Sequence, residues 1–270
     1  MRVLFASIAA IALAADTASA GPFAPAAGME GSTAIPYDYA GIVGWATGVH
    51  ELVRGPVDIS DAFSVAASWG VEADVLGVAD AQDDSLPVLS LGDGGAVTLT
   101  FARPVGNGPG PDFAVFENGF VNTFIELAYV EVSSNGVDFF RFASVSLTPA
   151  TAQTGSFGHL DPTNIHNLAG KYRRGFGTPF DLAEMALRDG LDVNGVTHVR
   201  IIDVVGSVAP AYRRLDSLGN PINDQWPTNF ETGGFDLDAV AVLNYSAVPE
   251  PAAAMLLGLG VLFSTVRRRA

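Results

Sequence analysis

The chain has 270 residues, of which 49% are hydrophobic and 16% charged, and its 14 basic and 29 acidic residues give a net charge of −15. This charge argues against nucleic acid as a partner, because binding it requires a basic surface. The sequence contains no cysteine, which excludes disulfides, thiol catalysis and cysteine zinc sites.

Residues 1–20 have the pattern of a secretory signal peptide. Arg2 precedes an apolar run over residues 3–15, and the segment ends in Ala18-Ser19-Ala20. A positive charge, an apolar run and small residues at the exit occur in the order that signal peptidase recognises. We therefore expect a mature body of residues 21–247, whose 10 basic and 27 acidic residues give a charge of −17.

The body contains many short segments in which apolar and polar residues alternate, as they do in half-buried strands. Asn135-Gly136 predicts a tight hairpin turn between two of them. Helical patterns are rare and the loops at 103–111, 149–163 and 206–234 are long, which favours an all-β sandwich. In chain order, the predicted strands lie near 41–45 and 88–91 and at 96–101, 112–116, 128–133, 137–142, 196–205 and 235–243.

One or two short helices are expected within this β fold. Thr178 is a suitable N-cap residue, Pro179 fits the first helical position, and Asp181 adds a negative charge to the first turn. This pattern predicts a short helix that ends near Gly190.

Residues 248–270 form a separate tail. Pro249 and Pro251 end any preceding strand, and an apolar run over 252–266 leads to Arg267, Arg268 and Arg269. As a helix, the run would span about 22 Å, which is less than a hydrocarbon core of ~30 Å, although terminal arginines can snorkel. The arginines predict that the tail end is cytoplasmic and the body outside. The tail is therefore expected to hold the precursor in the membrane as a weak transmembrane helix.

The tail resembles a known sorting signal. Val248-Pro249-Glu250-Pro251, the apolar helix and the three arginines are similar to the PEP-CTERM signal of Gram-negative bacteria. The resemblance implies processing by an exosortase, a membrane protease-transpeptidase. It also implies an inner-membrane-anchored precursor and a mature protein at the cell surface or in the extracellular matrix.

The body carries a second resemblance. The hairpin segment VEVSSNGVDF at 130–139, the strand VTLTF before it and the closing segment GFDLDAVAVLN resemble galactose-binding-like and discoidin-like domains. The resemblance implies a jelly-roll-like β-sandwich. It also implies a structural calcium where the closing strand meets an early loop.

Four acidic residues are candidate calcium ligands. Asp236 and Asp238 lie at positions i and i+2 of a strand, so both carboxylates should project from one face. Two negative charges at such a short distance require water or a cation between them. Ca²⁺ is the candidate cation, because it prefers oxygen ligands. Asp112 and Glu117 flank the strand at 112–116 and complete the set. In the alternative interpretation, Asp236 and Asp238 form the solvent face of an edge strand.

Two other polar groups are weaker candidates. Asp80, Asp83, Asp84 and Asp93 lack the spacing of an EF-hand and are expected in a solvated loop, with a second cation site as the alternative. Ser156, His159 and Asp161 are close in sequence, but no nucleophile elbow surrounds the serine. No catalytic set is recognisable, and we expect a non-enzymatic protein.

The sequence thus predicts an exported, exosortase-processed protein with a non-catalytic binding or structural role, and calcium as its candidate ion. The alternative is a carbohydrate-binding module for exopolysaccharide. In that case Tyr172 and Trp226, which lie in or near loops, would stack against sugar rings. A hydrolase is the least supported class.

Overall fold

The computed structural model describes residues 20–81 and 87–247, which form an antiparallel all-β fold without an α-helix. Three short 3₁₀ helices lie at Glu72–Val75, Pro162–Asn164 and Leu182–Met185. The strands are β1 (Ile35–Pro36), β2 (Gly44–Val53), β3 (Leu89–Ser90), β4 (Ala96–Val105), β5 (Phe113–Glu117), β6 (Ala128–Ser133), β7 (Phe140–Arg141), β8 (Val145–Ser146), β9 (Ile165–His166), β10 (Phe176–Phe180), β11 (Val196–Asp203) and β12 (Asp236–Val242).

Ten of these strands form one curled sheet. Nine of them follow the order β1-β10-β5-β12-β2-β4-β11-β6-β7, and β3 pairs with β12. The long strand β2 joins the two halves: Gly44 and Trp45 pair with β12, whereas residues 46–53 pair with β4. Strands β8 and β9 form a separate pair.

Both halves of the sheet contribute to one hydrophobic core. Val97 and Leu99 of β4 lie in the same buried cluster as Phe113 of β5, Phe180 of β10 and Val240 of β12. Phe113 stacks on Phe180 with a centroid distance of 5.3 Å. Each such side chain contributes about 1.5–3 kcal/mol of hydrophobic free energy, so the sheet curls to bury its inner face.

The all-β class predicted from the sequence is confirmed, and its strands are antiparallel. Each of the eight predicted strands overlaps a strand of the structure. The predicted bounds of β6, 128–133, are those observed. The short helix predicted from Thr178 is wrong, because Phe176–Phe180 is strand β10. The N-cap is Asp181, whose carboxylate accepts a hydrogen bond from the amide of Ala183 over 2.8 Å, and only a 3₁₀ turn follows.

Candidate functional site

Several buried carboxylates lie together at one end of the curled sheet. Because neighbouring strands are antiparallel, the starts of β4, β6 and β12 lie beside the ends of β5 and β11. The amide of Asp203 donates to the carbonyl of Gly95 over 2.8 Å, and the amide of Val204 donates to that of Leu127 over 2.9 Å. We call the buried acidic group here the carboxylate end; it comprises Asp93, Glu117, Glu126, Asp203, Asp224 and Asp236.

Strands β5 and β12 supply two of these residues. Glu117 pairs in register with Leu237, next to Asp236. The carboxylate of Asp236 accepts hydrogen bonds from the hydroxyl of Ser90 and, over 2.9 Å, from Nδ2 of Asn118. Oε2 of Glu117 accepts from the amide of Gly119 over 2.8 Å, whereas its buried Oε1 has no hydrogen-bond partner in the described part of the chain.

Asp238 is also buried, and its two oxygens accept hydrogen bonds from the amides of Asp80 and Ala81 over 3.0 and 3.4 Å. Since β12 has partners on both sides, the interpretation of Asp236 and Asp238 as the solvent face of an edge strand is wrong. The structure places Glu117, Asp236 and Asp238 in one region, and calcium there stays a prediction.

Asp112 does not join these three residues. It lies before β5 and Glu117 ends that strand, so the two are about 16 Å apart at ~3.3 Å per residue. The Asp112 carboxylate accepts from the amides of Gly108 and Leu182, both over 2.7 Å, and from Asn244 over 3.0 Å. The prediction that Asp112 shares a site with Glu117 is wrong, because the two residues lie at opposite ends of β5. At its own end, Asp112 holds the loops of Gly108, Leu182 and Asn244 together through hydrogen bonds.

Strand β11 and the loop 206–234 supply carboxylates that the sequence did not single out. Asp203, at the end of β11, accepts from the amides of Gly94 and Phe235, both over 2.7 Å. Asp224 accepts from the amide of Leu127 over 3.0 Å. The position of Asp203 at the end of an apolar strand is visible in the sequence and could have marked it as a candidate. Which residues lie beside it depends on the order of the strands in the sheet, which the sequence does not show.

Asp93, in the loop between β3 and β4, is the remaining member of the carboxylate end. Its Oδ2 accepts from the amide of Ile59 over 2.8 Å and from Nε1 of Trp226 over 3.1 Å. Asp93 is only 3% exposed, so the expected solvated loop is wrong at this position. Asp83 and Asp84, from the same acidic stretch, lie outside the described residues.

Burial raises the pKa of these groups. It raises the pKa of Asp203 to about 8, that of Asp236 to about 7 and that of Asp93 to about 6. The pKa of Glu126 is raised well above its usual range, first by burial and then by the charges of Asp236 and Glu117. Burial therefore favours the protonated, uncharged form of these carboxylic acids. Across the described residues, no three Asp, Glu or His side chains are already arranged as ligands of one metal ion.

An open cleft of about 270 Å³ lies beside β9 and β10. Phe23 stacks on His166 within it, with a centroid distance of 5.0 Å. Nζ of Lys171 donates to the carbonyl of Ile165 over 2.8 Å, and burial lowers the pKa of this lysine to about 8. The lining residues are Phe23, Ala24, Thr33, Pro111, His166, Asn167, Lys171, Tyr172, Thr178, Pro179, Asp181 and Glu184.

The two aromatic residues predicted to contact a glycan lie apart. Tyr172 lines the cleft, but it is 1% exposed and its hydroxyl is hydrogen-bonded to Thr33 Oγ1 over 2.9 Å. Trp226 is half-buried against Asp93, and its ring lies 6.1 Å from that of Tyr212. The structure does not bring Tyr172 and Trp226 into one site, and their contact with sugar stays a prediction.

Ser156, His159 and Asp161 do not form a catalytic triad. The hydroxyl of Ser156 donates to the carbonyl of Pro227 over 2.6 Å. His159 shares a hydrogen bond with Thr123, and Asp161 caps the 3₁₀ turn by accepting from the amide of Thr163. Each of the three side chains is engaged with a different partner.

Residues 247–270 match the family model of the PEP-CTERM protein-sorting motif. The chain carries a PEP-CTERM sorting motif. This motif implies an exported protein that an exosortase processes at the cell envelope. No galactose-binding family matches the body, and a search of curated proteins finds no match to the chain.

The sorting-signal residues predicted from the sequence all fall within the matched segment: Pro249, Glu250, Pro251, Arg267, Arg268 and Arg269. They and the predicted hydrophobic helix at 252–266 lie outside the described residues, as does the predicted signal peptide apart from Ala20. Within residues 20–81 and 87–247, no helix is long and apolar enough to cross a membrane.

Proposed function

We propose that the protein is an exported surface or matrix protein whose jelly-roll-like body is a non-catalytic binding module, delivered by exosortase processing. The observation that carries the binding role is the cleft beside β9 and β10. Its aromatic wall and convergent polar side chains are the usual composition of a small-ligand site. The separate partners of Ser156, His159 and Asp161 support a role without catalysis.

The composition of the cleft favours a saccharide as the ligand. The cleft is lined by the aromatic ring of Phe23 and by the buried Lys171. Asn167 donates to Glu184 over 2.5 Å, so an amide and a carboxylate are held side by side. Sugars are bound by such pairs of an apolar face and fixed polar groups. An exopolysaccharide made by the same cell is the ligand that a matrix protein would meet.

Binding of the full chain to purified exopolysaccharide tests this role. We expect Phe23→Ala to weaken binding, because it removes the ring that stacks on His166 in the cleft. Phe63→Ala is the matched control, since Phe63 is 93% exposed and does not line the cleft. Equal affinities of wild type and Phe23→Ala, measured by calorimetry, would rule out the cleft as the binding site.

Delivery to the surface is tested in cells that contain an exosortase. Replacing Pro249, Glu250 and Pro251 together by alanine should leave the precursor in the inner membrane, because the motif would no longer be recognised. The control is Ser264→Ala, within the apolar run. Release of the triple variant to the surface at the wild-type rate would contradict the assignment.

A bound Ca²⁺ is the second part of the proposal. Buried carboxylates concentrate at one end of the body, and calcium accepts oxygen ligands in flexible geometry. The melting temperature should rise with added Ca²⁺ and fall with EGTA. An unchanged melting temperature would refute the stabilising ion and leave the binding role of the cleft untouched.

A further inference from the structure

An open groove of about 350 Å³ lies beside β7, the last strand of the curled sheet. It shares no lining residue with the cleft beside β9 and β10. Among the described residues that line the groove, two are arginines and none is acidic. On a body with a charge of −17, the groove is therefore a local region of positive charge. Its polar and aromatic lining comes mainly from Phe139, Phe140, Arg141, Arg188 and Ser217.

The guanidinium of Arg188 is available to a ligand. The residue is exposed, and within residues 20–81 and 87–247 its side chain forms no ion pair and donates no hydrogen bond. Its backbone lies in the turn after the 3₁₀ helix Leu182–Met185, where its amide donates to the carbonyl of Met185 over 2.9 Å. The fold thus fixes the backbone of Arg188 and leaves its charged group without a partner among the described residues.

Arg141 is held in place, yet part of its guanidinium remains free. Its Nε and Nη2 lie 3.0 and 2.9 Å from Oε1 of Glu131, and its guanidinium lies 4.0 Å from the ring centroid of Tyr129. Nη1 donates to no described residue, and the side chain is 42% exposed. Glu131 also pairs with Arg200 over 3.0 Å. One carboxylate therefore faces two guanidinium groups, and these three side chains keep a net positive charge.

Aromatic rings and a hydroxyl complete the groove. Phe139 and Phe140 are half-buried, and the guanidinium of Arg200 lies 3.6 Å from the ring centroid of Phe139, which holds that ring in place. Oγ of Ser217 accepts from the amide of Ser144 over 2.9 Å, and among the described residues its hydroxyl hydrogen has no acceptor. Aromatic rings pack against the apolar faces of sugars, and a free hydroxyl can donate to a sugar oxygen.

We propose that the groove binds a carboxylate-bearing sugar of an acidic polysaccharide. Arg141 and Arg188 hold the carboxylate, because a planar guanidinium can donate two parallel hydrogen bonds to its two oxygens. The phenylalanine rings contact the sugar ring, and Ser217 donates to one of its oxygens. This site goes beyond the proposed function, since it does not use the cleft and it requires a negative charge on the ligand.

The charge of the body favours this ligand over other polyanions. DNA carries one negative charge per about 1.7 Å of its axis, and an anionic membrane is charged over a wide area, so the acidic body repels both. A uronate chain carries at most one charge per sugar ring, and a single carboxylate fits within the groove. At physiological salt, charges farther away than the Debye length of about 8 Å are largely screened. The contacting arginines therefore outweigh the distant acidic residues.

Binding of tetragalacturonate to the full chain tests the site, with its fully methyl-esterified form as the uncharged counterpart. Wild type should bind the acid, should lose most of this affinity for the ester, and should bind less tightly as salt increases. Arg188→Gln should weaken binding of the acid by about tenfold, because a charge-assisted contact is lost. Arg188→Lys should restore only part of the loss, since an ammonium cannot pair with both oxygens in one plane.

Arg213→Gln is the matched control, because it removes the same charge from an exposed side chain that does not line the groove. It should bind tetragalacturonate as wild type does. Equal losses in Arg188→Gln and Arg213→Gln would show an effect of overall charge and overturn the groove. Wild-type affinity in Arg188→Gln would overturn it as well.

The cleft and the choice of ligand are tested separately by calorimetry. Phe23→Ala should leave binding of tetragalacturonate unchanged, whatever its effect on exopolysaccharide. A loss in Phe23→Ala without one in Arg188→Gln would assign the acidic sugar to the cleft and overturn the groove. No binding by wild type, or equal binding of the acid and its ester, would overturn the recognition of a sugar carboxylate. Tighter binding to a DNA duplex or to phosphatidylglycerol vesicles that Arg188→Gln weakens would overturn the polysaccharide as the partner.

Discussion

The carboxylate of Asp203 accepts a hydrogen bond from the backbone amide of Phe235 over 2.7 Å. Asp203 ends β11, whereas Phe235 directly precedes β12, and these strands belong to different halves of the curled sheet. The other oxygen of Asp203 accepts from the amide of Gly94, which leads into β4. One buried side chain therefore holds the two halves together at the carboxylate end.

Asp203→Ala should lower the free energy of unfolding by about 2–4 kcal/mol, because it leaves two buried amides without an acceptor. Asp203→Asn should cost less, since its single oxygen can still satisfy one amide. Asp192→Ala is the control, as Asp192 is exposed and caps a turn at Asn194. Denaturant unfolding in EGTA measures all three. An alanine variant as stable as the asparagine variant would show that the two hydrogen bonds contribute little.

The carboxylate end shows where sequence reasoning stops. The alternation in β12 identified Asp236 and Asp238, and the strand before Glu117 identified that residue. Glu126, Asp203 and Asp224 could not be added, because their proximity depends on β11 pairing with both β4 and β6. That pairing joins residues about 70 to 100 positions apart, for which local periodicity carries no information.

Gly206 should be essential for the position of Asp224. Its φ of +71° is left-handed, and a Cβ at 206 would overlap Oδ1 of Asp224. Gly206→Ala should therefore lower the free energy of unfolding, measured in denaturant, by more than the ~1–2 kcal/mol of backbone strain alone. Gly110→Ala is the matched control, because Gly110 has a φ of +77° and no atom within 4 Å of the added Cβ. Equal losses of stability would mean that the contact with Asp224 relaxes freely.

Glu131 should connect three strands through two ion pairs. Its Oε1 lies 2.9 Å from Nη2 of Arg141 on β7, and its Oε2 lies 3.0 Å from Nε of Arg200 on β11. Glu131→Gln should cost about 0.5–2 kcal/mol, since cross-strand pairs that are partly exposed are weak. The cost should shrink at about 1 M salt, where charges are screened. Glu51→Gln, at an exposed position of β2, is the control. A loss that does not depend on salt would indicate packing rather than charge.

The comparison of β6 with β10 shows how far the fold follows from local pattern. Strand β6 alternates cleanly and ends in an Asn-Gly turn, so its bounds could be predicted. Strand β10 contains Pro179, which reads locally as a helix start. In the structure β1 covers only Phe176 and Gly177, so β10 is an edge strand at Pro179, where proline is tolerated. The pairing of β10 with β5 therefore makes residues 176–180 a strand, although their local sequence favours a helix start.

Lys171, which lines the cleft, should make the free energy of unfolding of the protein depend on pH. Burial lowers its pKa from 10.5 to about 8 in the folded protein, so between these values the unfolded chain binds more protons than the folded one. Stability should therefore rise with pH from about 8 to 10.5, by up to ~1.4 kcal/mol per pH unit. Lys171→Met should remove this rise, because methionine fills a similar space without a charge. Urea unfolding of the two proteins across this range isolates the lysine, since other titrating groups are common to both. Parallel curves would show that Lys171 keeps an ordinary pKa and that its amine reaches solvent through the cleft.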